Sequence, residues 1–257
     1  MEEKNEFELL ENKNYIEVLK DVLIYFMNEA TDFTVKVLDS DIVQDGVETI
    51  TQIGEAVSET VKILKAVKKV AGIPTALYMK KFERYCKGLA EIPLEKRQKY
   101  MKLLGTEEFN KESVFVLNII NRIEENEKID FFIKILNAKM DEIIDDSEYH
   151  RLMILTDRTM YSDLLYMKDN ITDDPVKLSS EADYGLVASG LLVNAGNEWV
   201  GLMDGEDNGV RFNYTLAAKK MAQIFFGVQC AMKPSNNGIT ILVEASDDDI
   251  EKIIKQV

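Results

Sequence analysis

The sequence predicts a mainly α protein: a multi-helix domain over residues 1–175, followed by a small α+β, winged-helix-like module over residues 176–257. Three observations carry that reading. Apolar residues recur at spacings of three and four through most of the chain before Ile171, the period of an amphipathic helix. Four prolines in 257 residues leave room for long helices. After Asp173-Asp174-Pro175 the pattern changes to short β-prone runs separated by turn residues.

The first helix is predicted over Asn14–Met27, where Ile16, Leu19, Leu23, Phe26 and Met27 share one face. A second apolar pattern runs through Phe33–Leu38 and turns at Asp39-Ser40-Asp41, and a third helix starts near Val47. Gly72-Ile73-Pro74 reads as the end of one helix and the start of the next. Glycine accepts the left-handed position after a helix, and proline fits the first turn, where its missing N–H costs nothing. The same grammar is read at Gly88 and Ile92-Pro93, with a further stop at Gly105. Helices are then predicted over Ser113–Ile123, over Lys128–Ile144, and from a Ser147 cap through Met167.

In the C-terminal module, Ser180 and Asp183 form a capping pair for a helix to Ser189 that Gly190 closes. Strands are predicted over Leu191–Asn194, Trp199–Met203 and Val210–Tyr214, the last two as a hairpin across Asp204–Gly209. Thr215 caps a helix over Leu216–Phe226, Ile239–Val243 forms a strand, and Ser246 with Asp249 caps Ile250–Lys255.

Charge is unevenly distributed. Residues 60–102 hold twelve Lys and Arg against Glu83, Glu91 and Glu95, a net +9 in a chain whose total is −15. The candidate binding surface is Lys62, Lys65, Lys68 and Lys69, continued by Lys80, Lys81, Arg84 and Lys87. Three readings of this surface stay open. In Val61–Ala71 the lysines cover one face and Ile63, Leu64, Val67 and Val70 the other, the pattern of a helix lying on anionic lipid. An anionic protein or nucleic acid is the second reading. The third is an internal contact with residues 1–59, whose net charge is −11.

Composition and motifs exclude several chemistries. Cys86 and Cys230 lack metal-ligand spacing, and a reducing cytoplasm is the expected compartment, peripheral to the inner face of the membrane if the basic helix meets lipid. MEEKNEFELL lacks the order of a secretory leader, and no apolar run is long enough for a membrane span. The single histidine, His150, sits between Tyr149 and Arg151. A Ser-His-Asp arrangement is not built from neighbours on one helical turn, so it reads as a surface or capping residue. Asp204, Glu206 and Asn208 match half of a calcium loop, but Thr215 stands where the bidentate Glu belongs. Neither GxxxxGK[ST], GxGxxG nor GxSxG occurs. No cofactor, metal or catalytic set is expected.

The runs IPTALYMKKFERYCKGLAEIPLEKRQKYMKLLG, YHRLMILTDRTMYSDLLYMKDN and NYTLAAKKMA resemble a largely uncharacterised family of bacterial and prophage-borne helical proteins. Lys80-Lys81-Phe82 and Tyr214-Thr215-Leu216 match its pattern, and the similarity spans residues 60–226. The resemblance implies structural motifs without catalytic residues. Because some relatives lie near phage-defence genes, it also implies a part in host–phage conflict. Where the family has an apolar or amphipathic helix, this chain has the charged, not strongly apolar, Val61–Ala71. The expected function is a non-enzymatic protein-interaction or regulatory protein of bacterial or phage origin, in phage defence or counter-defence. The alternatives are a DNA-binding winged-helix regulator and a peripheral membrane effector. A protein partner is expected, nucleic acid is disfavoured by the acidic balance, and a homo-oligomer stays open.

Overall fold

In the computed structural model, the described residues are 15–31, 73–195 and 210–228. They form α1 (Tyr15–Asn28), α2 (Ile73–Glu91), α3 (Leu94–Leu104), α4 (Thr106–Arg122), α5 (Lys128–Met140), α6 (Asp146–Arg158), α7 (Tyr161–Asn170), α8 (Glu181–Ser189), β1 (Leu192–Asn194), β2 (Phe212–Tyr214) and α9 (Leu216–Phe226). The described part is therefore mainly helical with a small two-stranded sheet. The elements predicted at Phe33–Leu38, from Val47, across Val61–Ala71, and at Trp199–Met203, Ile239–Val243 and Ile250–Lys255 lie outside the described residues.

Helix α5 has apolar residues on nearly every side: Ile129, Phe131, Phe132, Ile135, Leu136 and Met140 are all buried. A helix of that kind must be surrounded, and α2, α3, α6 and α9 pack around it. One continuous apolar cluster runs from Leu19 on α1 to Phe225 on α9. Phe225 stacks on Phe131 at 4.2 Å between ring centroids, so contacts cross residue 175.

Several element boundaries differ from the sequence reading, each for a local reason. Helix α2 does not stop at Gly88 but continues to Glu91. A Cβ at Gly88 would lie 2.6 Å from the Ile133 side chain, so this glycine permits a close crossing of α2 over α5. Helix α4 begins at Thr106, directly after Gly105, seven residues before the predicted Ser113. Helix α5 ends at Met140 because Glu142 adopts a left-handed conformation, φ 59°. The Glu142 N–H donates to the Lys139 carbonyl and the Ile143 N–H to the Ala138 carbonyl, both at 3.0 Å, which is a Schellman closure.

The predicted long helix from Ser147 to Met167 is two helices, with Asp145 rather than Ser147 as the first cap. Asp145 accepts from the Glu148 N–H at 2.8 Å, and the Glu148 carboxylate accepts from the Asp145 N–H at 3.2 Å. The break falls at Thr159, whose hydroxyl donates back to the Leu155 carbonyl at 2.7 Å. Glu125, 36 residues earlier, then caps the new helix by accepting the Tyr161 N–H at 2.8 Å.

In the C-terminal part, the Ser180–Asp183 capping box, the left-handed Gly190 (φ 81°) and the Thr215 cap of α9 are present. The strand β2 pairs antiparallel with β1, Leu192 opposite Tyr214, and Phe212 also pairs with Val176. Residues 171–180 separate α7 from α8.

Helix α8 crosses α7 closely at Gly185, where a Cβ would lie 2.0 Å from Oδ2 of the buried Asp163. Gly185→Ala is expected to cost about 2 kcal/mol, the usual size of an overpacking penalty. Adding Asp163→Ala should recover most of it, as read from urea midpoints. Equal midpoints for the single and double variants would contradict the crossing.

Candidate functional site

The eight basic residues singled out in sequence fall into two groups. Lys62, Lys65, Lys68 and Lys69 lie outside the described residues. The other four are on α2. Lys81 donates to the Ile123 carbonyl. Arg84 holds the Asp130 carboxylate with two hydrogen bonds, from Nε at 2.9 Å and Nη2 at 2.7 Å, a fork geometry suited to arginine. Lys87 pairs with Glu83 at 3.1 Å, one turn back on its own helix. Lys80 is exposed. Among the described residues, then, three of these four cations are held by the chain itself, with partners on α2, on α5 and just after α4.

Two cations that sequence reasoning counted only as charge have specific buried roles. Arg97 on α3 is 1% exposed. Its guanidinium donates to the Ile92 carbonyl at 2.8 Å, to the Ala30 carbonyl at 2.5 Å, and to the Phe26 carbonyl. Gln98 adds a bond to the Asn28 carbonyl at 2.8 Å. The last carbonyls of a helix have no partner within it and carry partial negative charge. Arg97 supplies both the donors and the compensating charge, and so pins the end of α1 to α3. Burial lowers its pKa, but a guanidinium stays charged.

The second is Lys139, near the end of α5. Its ammonium lies 2.8 Å from Glu112 Oε2 and 2.9 Å from Asp146 Oδ1. It also sits 4.2 Å from the centre of the Tyr149 ring, within cation–π range. The Tyr100 hydroxyl donates to the Glu112 carboxylate, 2.9 Å from each oxygen. Thus α3, α4, α5 and α6 each contribute to one buried polar network.

Tyr149 is fully buried, and its hydroxyl has no hydrogen-bond partner. It lies near enough to Glu112 to feel its charge but outside bonding geometry. Burial first, and Glu112 second, push the phenols of Tyr85 and Tyr149 well above their ordinary range. A cavity of about 20 Å³, lined by Tyr85, Tyr100, Glu112 and Ser113 among apolar side chains, has room for one water molecule.

Lys139 depresses the Asp146 pKa, first through its hydrogen bond and then through its charge. A carboxyl lowered on folding contributes stability that is present above its ordinary pKa near 4 and lost as pH falls through the lower folded value. Asp146→Asn should therefore be less stable than wild type at pH 7. The gap should close below about pH 4, as read from thermal midpoints across a pH series; a gap that stays constant with pH would contradict the pairing.

An open groove of about 610 Å³ lies over this network. Tyr100, Lys139 and Met140 form its floor, and Leu103, Leu104 and Ile143 line it with apolar side chains. Leu103 is 70% exposed and Ile143 49%. Glu142, Asp145, Asp146 and Glu148 supply carboxylates, and Lys99 reaches Glu142 at 3.9 Å. Helices α3 and α5 end here and α6 begins here, so two negative dipole ends and one positive end meet at the groove.

The groove residues were missed in sequence. Predicting α5 through Ile144 places Ile143 on a helix, whereas the turn at Glu142 turns it outward. The visible signal was the Leu103-Leu104 pair directly before Gly105.

Nothing comparable is arranged for catalysis among the described residues. His150 Nδ1 contacts its own helix, 2.7 Å from the Asp146 carbonyl, with its ring 4.7 Å from that of Phe115. The Cys86 thiol is fully buried, and burial raises its pKa, the reverse of what an attacking thiolate needs. Among the described residues, no His, Cys, Asp and Glu group suits a metal ion, and no helix is long and apolar enough to cross a membrane. No family model, curated protein or solved structure matches the chain.

Proposed function

We propose that this chain is a non-enzymatic interaction protein that binds another protein through the groove between the end of α3 and the α5–α6 turn. The observation that carries the reading is the exposure of Leu103 and Ile143 in the lining of one open, partly apolar groove. A concave site with a few exposed apolar side chains among polar groups offers a partner both contact and orientation. The network beneath it supports the same reading, because a floor tied by Tyr100, Glu112, Lys139 and Asp146 holds its shape before a partner arrives.

The bacterial or phage setting, a part in phage defence or counter-defence, and a cytoplasmic location enter this proposal through the sequence alone. So does the winged-helix-like character of residues 176–257, for which the three-rung arrangement of Val176, β2 and β1 is supporting geometry. The sequence of α8, EADYGLVAS, has Glu181 and Asp183 and no cation, which supports protein contact over DNA for that module.

The test is a comparison of the 257-residue wild-type chain with Leu103→Ser/Ile143→Ser, each immobilised and exposed to a lysate of the source cell. Both substitutions are at exposed positions, so the fold should be kept, as circular dichroism would verify. The expected result is a protein retained by wild type and lost by the variant. Identical retention by both would overturn the reading.

A further inference from the structure

We infer that the groove takes a cationic amphipathic helix of a partner protein, a proposal that rests on the groove being the docking site. Three features of the groove select that chemistry. Its exposed apolar contacts come from two segments, Leu103 on α3 and Ile143 beyond α5, with Leu104 also in the lining. Two apolar anchors in one groove suit one apolar stripe of a helix, read at positions three or four apart.

The electrostatics select the sign of the partner. Four carboxylates line the groove, from Glu142, Asp145, Asp146 and Glu148, against the ammonium groups of Lys99 and Lys139. Lys139 is turned inward to Glu112 as well as to Asp146, so part of its charge is already balanced beneath the floor. Lys220 of α9 approaches Glu148 at 3.6 Å from outside the groove. The C-terminal ends of α3 and α5 and the N-terminal end of α6 meet here with opposite partial charges, so the sign of the groove is set by its carboxylates rather than by helix ends. The side chain of Glu142 is 77% exposed and its ion pair with the similarly exposed Lys99 is long at 3.9 Å, so a lysine or arginine from outside can compete for its carboxylate. An acidic helix or an anionic lipid surface would meet like charge here, which opposes binding.

Glu142 also gives the proposal a test that separates binding from stability. A left-handed residue at a helix end is favoured as glycine, so Glu142→Gly should raise the thermal midpoint of the protein. The same change removes a carboxylate from the groove and should weaken binding of a cationic helix.

The probe is a fluorescein-labelled amphipathic Leu/Lys peptide of about 15 residues, long enough to be helical. Anisotropy titrations compare it with a Leu/Glu peptide of the same pattern and with a Leu/Lys scramble that has no apolar face. The 257-residue chain should bind the first, weakly if at all the other two, and less tightly as salt is raised. Leu103→Ser/Ile143→Ser, which removes the apolar anchors without changing the charge, should weaken binding about tenfold or more, and Glu142→Gly severalfold despite a higher midpoint. Equal binding of the Leu/Glu peptide, or binding of the Leu/Lys peptide unchanged by the double variant, overturns the cationic-helix assignment. A lysate partner still lost by the double variant would then leave the docking groove standing with a different occupant. Loss of neither would remove both. Binding accompanied by dimerisation of the protein alone, in sedimentation velocity, would assign the groove to a second copy of this chain and overturn the proposal.

Discussion

Arg97→Met is expected to destabilise the protein by about 3–5 kcal/mol, one of the two largest single-residue effects in the described fold. The substitution keeps the volume and aliphatic stem while removing every donor. The carbonyls of Phe26, Ala30 and Ile92 then lose their partner together. A buried polar group left without a partner costs about 1–3 kcal/mol, and water can reach only part of this shell because the side chain is 1% exposed. Arg97→Lys should fall between the two, since one ammonium keeps the charge at the end of α1 but cannot span three carbonyls. The measurement is the urea midpoint at unchanged slope. A midpoint for Arg97→Met within error of wild type would mean that α1 is not pinned to α3 by this side chain.

Lys139→Met is expected to cost a similar amount, about 3–5 kcal/mol, because it strands the Glu112 carboxylate in the core. Tyr100 remains as a donor to Glu112, but one phenol does not replace an ammonium. Glu112→Gln in the same chain should recover a large part of the loss, because a neutral amide has less to desolvate. A double-mutant cycle on denaturant midpoints isolates the pair. Additive losses would show that Glu112 and Lys139 do not interact. Leu103→Ser, at a position 70% exposed, should by contrast cost less than about 1 kcal/mol.

The orphan hydroxyl of Tyr149 fits this picture. It sits beside a network whose acceptors are already engaged by Tyr100 and Lys139, and its ring, not its hydroxyl, carries the interaction with the ammonium. A buried network with one unsatisfied member is a place where a fold specifies geometry at some expense in stability.

What the sequence by itself determined were features set within a few residues of chain. The period of three and four in Tyr15–Asn28 and Leu216–Phe226 needs no partner to be read, nor do the Ser180–Asp183 box and the Thr215 cap. Gly190 belongs with them, since its left-handed conformation follows from its place after a helix.

Only the tertiary structure decided the features that join distant residues. Gly88 looked like a stop and is a crossing point, because the constraint on it is Ile133 on another helix. The predicted Ser147–Met167 helix divides at Thr159 because Glu125 supplies a cap from 36 residues away. Arg97, counted in sequence as one of twelve positive charges, is a buried clamp on carbonyls about 70 residues distant. The groove depends on a left-handed Glu142, a conformation that sequence assigns to glycine or asparagine. Local propensity acts over one turn of chain. Burial, charge pairing and the direction of an exposed side chain are settled only when helices from different parts of the chain meet.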